Sequence, residues 1–261
     1  MTSRTFGIRN QRGSCWINAT IQAVLRIPEV QARFTNDEAD SKIPVELCLQ
    51  EIWASKGEEG LRDFYDCVRT THMPAGNGIG DSHELLEFLC DKIPFLDKLM
   101  RFKVVNRVTC TNPACSYTET RHDTMIEFSI SPTDRKQSVS QAVVEAVKPY
   151  TVSDWKCETC AKSGCSKQIL IAGQLPKVLV FHQTSVGTSV SYSAVLEVNG
   201  IKYGLFAIVC FNGGHWYTYG RDMPPGNPWY EFDDTRVQQF DSSHFPLADT
   251  MRLLMYYRLN E

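Results

Sequence analysis

The stretch Gly7-Ile8-Arg9-Asn10-Gln11-Arg12-Gly13-Ser14-Cys15-Trp16-Ile17-Asn18-Ala19-Thr20-Ile21-Gln22 changes character half-way along. Its first half is a polar loop between two glycines. Its second half is apolar at helical spacing: Ile17, Ile21, Val24 and Leu25 fall at i, i+4, i+7 and i+8, one face of an amphipathic helix that Pro28 ends. Ser14 reads as the N-cap, which places Cys15 in the first turn. There the unpaired amides and the positive end of the helix dipole favour an anion. A cysteine on a helix is often just a small buried apolar residue. The polar, Gly-bounded loop with Asn10 just before it makes Cys15 a candidate nucleophile instead.

A chain of 261 residues, 43% hydrophobic and 22% charged, has the composition of a globular protein with a substantial core. The net charge of −3 and the lack of a basic block argue against a nucleic-acid binder. No apolar run approaches the roughly 18 residues that span a bilayer, and the first residues lack the plan of a signal peptide. The ten cysteines are therefore expected as reduced thiols in a cytoplasmic or nuclear setting.

Residues 16–36 read as helix, followed by short helices over 44–55 and 59–69. Residues 71–80 hold Pro74, Gly76, Asn77, Gly78 and Gly80 and read as a loop. Asp81-Ser82 can cap a helix running to Ile93. From Arg101 onward β-branched residues dominate. Strands are predicted over 103–109, 116–130, 169–171, 178–181, 203–211, 229–232 and 251–259, with a short helix over 138–147. The 203–211 run is apolar on both faces, the mark of a central strand covered on each side.

Two cysteine pairs lie among these strands: Cys110-Thr111-Asn112-Pro113-Ala114-Cys115 and Cys157-Glu158-Thr159-Cys160. Paired thiols in turns, joined by strands, suit a zinc ribbon with four thiolates and no open position for substrate, so the metal would be structural. Cys165, close behind, could replace one ligand.

A third group follows the central strand. In Asn212-Gly213-Gly214-His215-Trp216-Tyr217-Thr218-Tyr219 the histidine sits at a strand–loop junction, and Trp229-Tyr230-Glu231-Phe232-Asp233-Asp234 puts an acid at the end of the next strand. Cysteine, histidine, then carboxylate is the order of a papain-like thiol hydrolase. In that chemistry His215 takes the thiol proton and Asp233 orients it, while Asp234 could share that role. His72, His83, His122, His182 and His244 lack such surroundings and read as structural.

These residues resemble the ubiquitin-specific proteases. The stretch from Gly7 to Gln22 is similar to the family's cysteine box, and Gly214-His215-Trp216-Tyr217-Thr218-Tyr219 to its histidine box. The segment from Trp229 to Val237 resembles the acid segment that follows it. Asp81-Ser82-His83-Glu84-Leu85-Leu86 resembles the helix start that meets the ubiquitin tail, and the run from Leu175 to Phe181 a strand leading into the palm. Three positions depart from the pattern: Ser14 replaces Thr, Gly80 replaces Gln and Trp216 replaces Tyr. The loop before His215 is also short.

The resemblance implies an α+β, papain-like fold of fingers, palm and thumb within a single catalytic domain. Residues 1–100 would form the helical thumb, 101–175 the zinc-bearing fingers and 176–261 the β-rich palm. It implies hydrolysis after the C-terminal Gly-Gly of ubiquitin or a ubiquitin-like modifier. Cys15 would be the nucleophile, His215 the base, Asp233 its partner and Asn10 the oxyanion donor. Substrate contacts would fall at Asp81, Glu84, Gly214, Trp216 and Tyr219, and structural zinc at Cys110, Cys115, Cys157 and Cys160. The expected partners are ubiquitin or a relative and its conjugates, with no nucleic acid and no membrane. The alternative is a viral-type papain-like protease that cuts a polyprotein at Gly-Gly sites.

Overall fold

The computed structural model describes residues 5–11, 13–71, 80–130, 138–184, 191–223, 226–241 and 250–259. The loop expected over 71–80, with His72, lies almost wholly outside them, as does His244.

Among the described residues, six helices open the chain: α1 Cys15–Val24, α2 Pro28–Thr35, α3 Pro44–Ala54, α4 Leu61–Thr71, α5 Ser82–Lys92 and α6 Pro94–Met100. Three start with proline, whose fixed φ and missing N–H suit a first helical turn. Pro28 accordingly divides the single helix expected over 16–36 into α1 and α2. Nor is α1 half exposed, because all ten of its residues are buried. Its polar face is covered and hydrogen-bonded: Gln22 Nε2 donates to the Phe6 carbonyl at 2.7 Å, and Thr20 Oγ1 to Trp16 O at 2.9 Å.

The rest is mostly sheet: β1 Phe102–Cys110, β2 Thr118–Met125, β3 Glu127–Ile130, β4 Tyr150–Lys156, β5 Ser163–Ala172, β6 Val178–Gln183, β7 Val195–Val198, β8 Ile201–Phe211, β9 Trp216–Gly220, β10 Trp229–Asp233, β11 Arg236–Phe240 and β12 Met251–Arg258. A helix, α7 Val139–Ala146, lies between β3 and β4 and starts with a capping box of Ser138 and Gln141. The larger sheet has the order β11-β10-β9-β8-β12-β6-β3, with β7 added on β8. Among the described strand pairs, β3–β6 alone is parallel.

As the sequence indicates, β8 is central and buried over eight consecutive residues. Phe206, Ala207 and Val209 belong to the helical cluster that also holds Ile17, Ile21 and Val24 of α1. Leu205, Ile208 and Cys210 join a second cluster on the other face, with Val139 and Val143 of α7. The two clusters lock the helices and the sheet together.

A second sheet, β2-β1-β5-β4, extends from this body. Exposed positions dominate β2 and β4, so it has little apolar core of its own.

Candidate active site and cysteine cluster

Four segments converge at the start of α1: residues 5–11, the helix end itself, the β8–β9 turn and the β10–β11 turn. Gly7 allows the first and last to touch, because a Cβ there would stand 2.3 Å from the Thr235 carbonyl oxygen. The next residue, Ile8, donates its N–H to Asp234 O at 2.8 Å. That contact brings Asn10 into place. Asn10 Oδ1 accepts the N–H groups of Gly13 (3.2 Å) and Ser14 (3.1 Å), which turns its NH₂ toward Asp234 Oδ2, 2.8 Å away.

Ser14 holds the N-cap position but makes no side-chain cap. Its hydroxyl accepts from the Gln11 N–H at 2.8 Å instead. The sequence expectation is corrected on that point: no side chain of Ser14 covers the first-turn amides around Cys15. Cys15 opens α1 and is 8% exposed.

His215 ends the tight turn Asn212-Gly213-Gly214-His215 between β8 and β9. Asn212 Oδ1 accepts the N–H groups of Gly214 (3.2 Å) and His215 (2.9 Å), and the Asn212 N–H donates to His215 O at 3.1 Å. Gly213 takes φ +96°, which explains glycine there. Past the turn, Thr218 Oγ1 donates to Ala19 O at 2.8 Å, fastening β9 to α1 one turn beyond Cys15. The imidazole Nε2 lies 2.6 Å from Asp233 Oδ1 and 3.9 Å from Asp234 Oδ2. With Nε2–H donating to Asp233, Nδ1 keeps its lone pair for a proton. Among the described residues the Cys15 thiol has no hydrogen-bond partner, so its bond to His215 is not made in this conformation.

The neighbouring acid does different work. Asp234, at φ +51°, accepts Asn18 Nδ2 at 2.7 Å on Oδ1 and Asn10 Nδ2 at 2.8 Å on Oδ2. Asn18 Oδ1 in turn accepts the Tyr65 hydroxyl at 2.6 Å, and burial pushes that phenol's pKa up. Asp233 therefore contacts His215, while Asp234 ties Asn10 to α1.

At the far tip of the second sheet, the β1–β2 and β4–β5 turns bring Cys110, Cys115, Cys157 and Cys160 together, all four sulfurs within 4.8 Å of one another. Cys110 Sγ lies 3.7 Å from Cys160 Sγ, and Cys115 Sγ 3.9 Å from Cys157 Sγ. Tetrahedral zinc with Zn–S near 2.3 Å sets sulfurs about 3.8 Å apart, so the arrangement fits that ion. All four are free thiols. Cys165 is not among them. It lies in β5, opposite Cys110 in the β1–β5 register and fully buried.

A family model, ubiquitin carboxyl-terminal hydrolase, matches residues 6–256. The chain belongs to that family. Among individual ubiquitin carboxyl-terminal hydrolases, it is similar to number 2 of Gallus gallus, with 25% identity over 183 residues. That alignment takes in 58% of this chain and 49% of the relative, so the match spans about half the relative's length. Among solved structures it resembles the SAGA DUB module Ubp8/Sgf11/Sus1/Sgf73 bound to monoubiquitin, with TM-score 0.80 and 17% identity, covering 98% of this chain and 70% of that one. The yeast SAGA DUB module with an Sgf73 mutant gives TM-score 0.81 and 16% identity over 98% and 69%. The module bound to ubiquitin aldehyde gives 0.76 and 17% over 98% and 70%. These likenesses bear out the α+β, papain-like fold with fingers, palm and thumb.

Within this ubiquitin carboxyl-terminal hydrolase, the expected tail residues divide. Asp81 caps α5, its Oδ1 accepting the His83 N–H at 2.7 Å; it is half-buried, and Glu84 is exposed. Gly214 is exposed with open space beside it. Trp216 and Tyr219, by contrast, are 5% and 6% exposed. Trp216 packs on Phe211, and the Tyr219 hydroxyl donates to Glu231 at 2.9 Å, so in this conformation neither has a surface open to a tail. Gly80, where the family pattern has Gln, is explained by Trp16. A Cβ at Gly80 would stand 2.8 Å from the indole ring. Gly80→Gln should overpack this contact at a cost of about 1–3 kcal/mol and lower Tm by several degrees in calorimetry. An unchanged Tm would mean that Trp16 moves aside freely.

Asn18, Tyr65 and Asn212 are site residues that sequence reasoning did not single out. Asn212 carried a signal, since Asn before a glycine pair is turn chemistry. Asn18 and Tyr65 carried none, because their roles depend on Asp234, more than 160 residues away.

Proposed function

We propose that this chain is a thiol-dependent deubiquitinase that hydrolyses the peptide or isopeptide bond following the C-terminal Gly-Gly of ubiquitin or a ubiquitin-like modifier. The observation that carries the reading is the His215–Asp233 contact of 2.6 Å beside the helix end that bears Cys15. Family membership and the ubiquitin-bound relatives support the substrate class.

The mechanism follows from donors and acceptors already placed. His215 Nδ1 takes the Cys15 proton as sulfur attacks the glycine carbonyl carbon. The carbonyl oxygen gains the negative charge and is held by the Cys15 N–H, which has no intrahelical acceptor at the first helical position. Asn10 Nδ2 adds its second hydrogen; the first is committed to Asp234. Imidazolium, steadied by Asp233, then protonates the departing amine. Water, deprotonated by the same imidazole, cleaves the thioester and restores the thiol. Asp81, Glu84 and Gly214 line the approach of the tail, the two carboxylates matching its arginines. Cys110, Cys115, Cys157 and Cys160 would hold a structural zinc, which would tie the two turns together and supply no chemistry to bond cleavage.

A ubiquitin C-terminal electrophile should label Cys15 alone among the ten cysteines, and Cys15→Ala should abolish both labelling and turnover while still binding ubiquitin. Turnover of a ubiquitin–fluorophore reporter should exceed that of Gly-Gly peptides by orders of magnitude, since the remote surface of ubiquitin supplies binding energy. Equal rates would instead fit a protease that reads only the peptide.

A further inference from the structure

Glu127 opens β3 and is 7% exposed, an uncommon place for a carboxylate unless it is paired. Two histidines pair with it. Its Oε2 lies 2.7 Å from His83 Nε2, and its Oε1 lies 3.3 Å from His182 Nδ1 while accepting Ser129 Oγ at 3.2 Å. The two imidazoles stack, with centroids 3.9 Å apart and planes 18° from parallel. His83 stands in the first turn of α5, and His182 is on β6 beside Ser129 in the parallel register. One buried carboxylate thus joins a helix end to two strands of the larger sheet.

The three residues could also be read as metal ligands, their donor atoms lying within 4.8 Å of one another. The stack argues otherwise: the lone pairs of near-parallel rings run side by side and do not converge on one ion. His83 Nε2 and Glu127 Oε2 stand 2.7 Å apart, within ion-pair range.

We propose that His83, Glu127 and His182 form an ionic clasp that fixes the first turn of α5 to the palm and so sets the pose of Asp81 and Glu84 toward the arginine-bearing tail of the substrate. His83 is the residue between them, and its N–H already holds the Asp81 carboxylate. This rests on the tail reading proposed above. The clasp residues are positioning residues, since none touches the reacting atoms.

Charge supports the assignment. Burial alone would lower the His83 pKa. The contact with Glu127, and the charges of Glu87 at 3.9 Å and of Asp81, outweigh it and raise that pKa. Burial alone would raise Glu127, yet the two histidines bring it down to about 2. Glu127 also borders a polar cavity of about 350 Å³ with Glu87, Asp91, Arg101, Thr124 and Ser129. In that cavity Arg101 is matched by Asp91 and Asp97. The raised His83 contributes fully below the ordinary histidine value of about 6.5, and its contribution is lost as pH rises through its folded pKa. The depressed Glu127 contributes above about 4.3 and is lost as pH falls toward 2. The contributions of Glu127 and His83 are therefore both present in full between about pH 4.3 and 6.5.

Steady-state assays of the full chain with a ubiquitin–fluorophore reporter test this. Glu127→Gln and His83→Gln should each raise KM about tenfold and leave kcat within about twofold. In an Asp81→Ala/Glu84→Ala background the same changes should add almost nothing, because their effect passes through those carboxylates. The parent chain should show KM rising on the alkaline side of the His83 titration, a dependence absent from His83→Gln; this profile stands even if Glu127→Gln fails to fold. Multiplicative KM effects, or a loss confined to kcat, would overturn the clasp. If Asp81→Ala/Glu84→Ala leaves KM unchanged, the tail reading itself fails. If it raises KM and Glu127→Gln does not, only the clasp fails. Two zinc ions per chain, with the second lost in His83→Gln, would replace the clasp with a metal site.

Discussion

Asp233→Asn is expected to lower kcat on a ubiquitin reporter by about 10³- to 10⁴-fold, with little change in KM or Tm. The carboxylate accepts from His215 Nε2 at 2.6 Å and so keeps the lone pair on Nδ1. An amide of the same shape can offer its NH₂ to the ring, which favours the opposite tautomer and puts a hydrogen where the thiol proton must go. It also withdraws the negative charge that steadies imidazolium. Asp234→Asn should behave differently. Its carboxylate accepts from two amides, Asn10 and Asn18, and one carboxamide oxygen cannot serve both. An NH₂ would face an NH₂, Asn10 would lose its anchor, and both kcat and Tm should fall. Kinetics and calorimetry on the two variants separate the roles. A large kcat loss in Asp234→Asn beside a mild one in Asp233→Asn would exchange them.

This contrast marks how far the sequence could be read. The order of cysteine, histidine and acid was legible because each sits in a short local pattern: a polar loop before a helix, a glycine pair before a strand, an acid pair after one. The choice between Asp233 and Asp234 was not. Adjacent residues at a strand end point in different directions, and the left-handed backbone of Asp234 that turns it toward Asn10 and Asn18 is set by the hairpin and the approach of Gly7. Likewise β8 was readable from its continuous apolar run. The strands β4 and β11, exposed on most positions, offered no alternation to detect.

Burial accounts for what else the local sequence does not show. Trp216 and Tyr219 lie in the segment that resembles the family's histidine box, and that resemblance implied substrate contact. Three positions apart on β9, they face opposite sides of the sheet, and each is buried there: Trp216 against Phe211 in the helical cluster, Tyr219 beside Glu231 in the second. His83 and His182 looked unremarkable because their shared partner, Glu127, is far from each in the chain. A parallel strand pair and a helix end bring the three together, and no local pattern announces that.

Removing the proposed zinc should have the largest effect on stability, and the effect should be confined to one part of the molecule. The sheet β2-β1-β5-β4 is exposed along most of β2 and β4, so hydrophobic burial cannot hold its tip. The cross-links there are four thiols, brought from the 110–115 turn and the 157–160 turn. Without a cation they would repel one another on ionising. Binding ties two hairpins together, and the free energy of coordination then acts as folding free energy for this sheet. Cys110→Ser or Cys157→Ser should therefore release the metal and lower Tm by about 10 °C or more, since each kcal/mol lost moves Tm by roughly 2–4 °C in a chain of this size. Hydrogen exchange should accelerate across 103–125 and 150–172, while β8 and β12, buried between two clusters, keep their protection. Cys165→Ser should leave the metal content unchanged, because that sulfur lies outside the cluster. Freshly purified protein without zinc, or uniform loss of protection over both sheets, would remove the ribbon from the account.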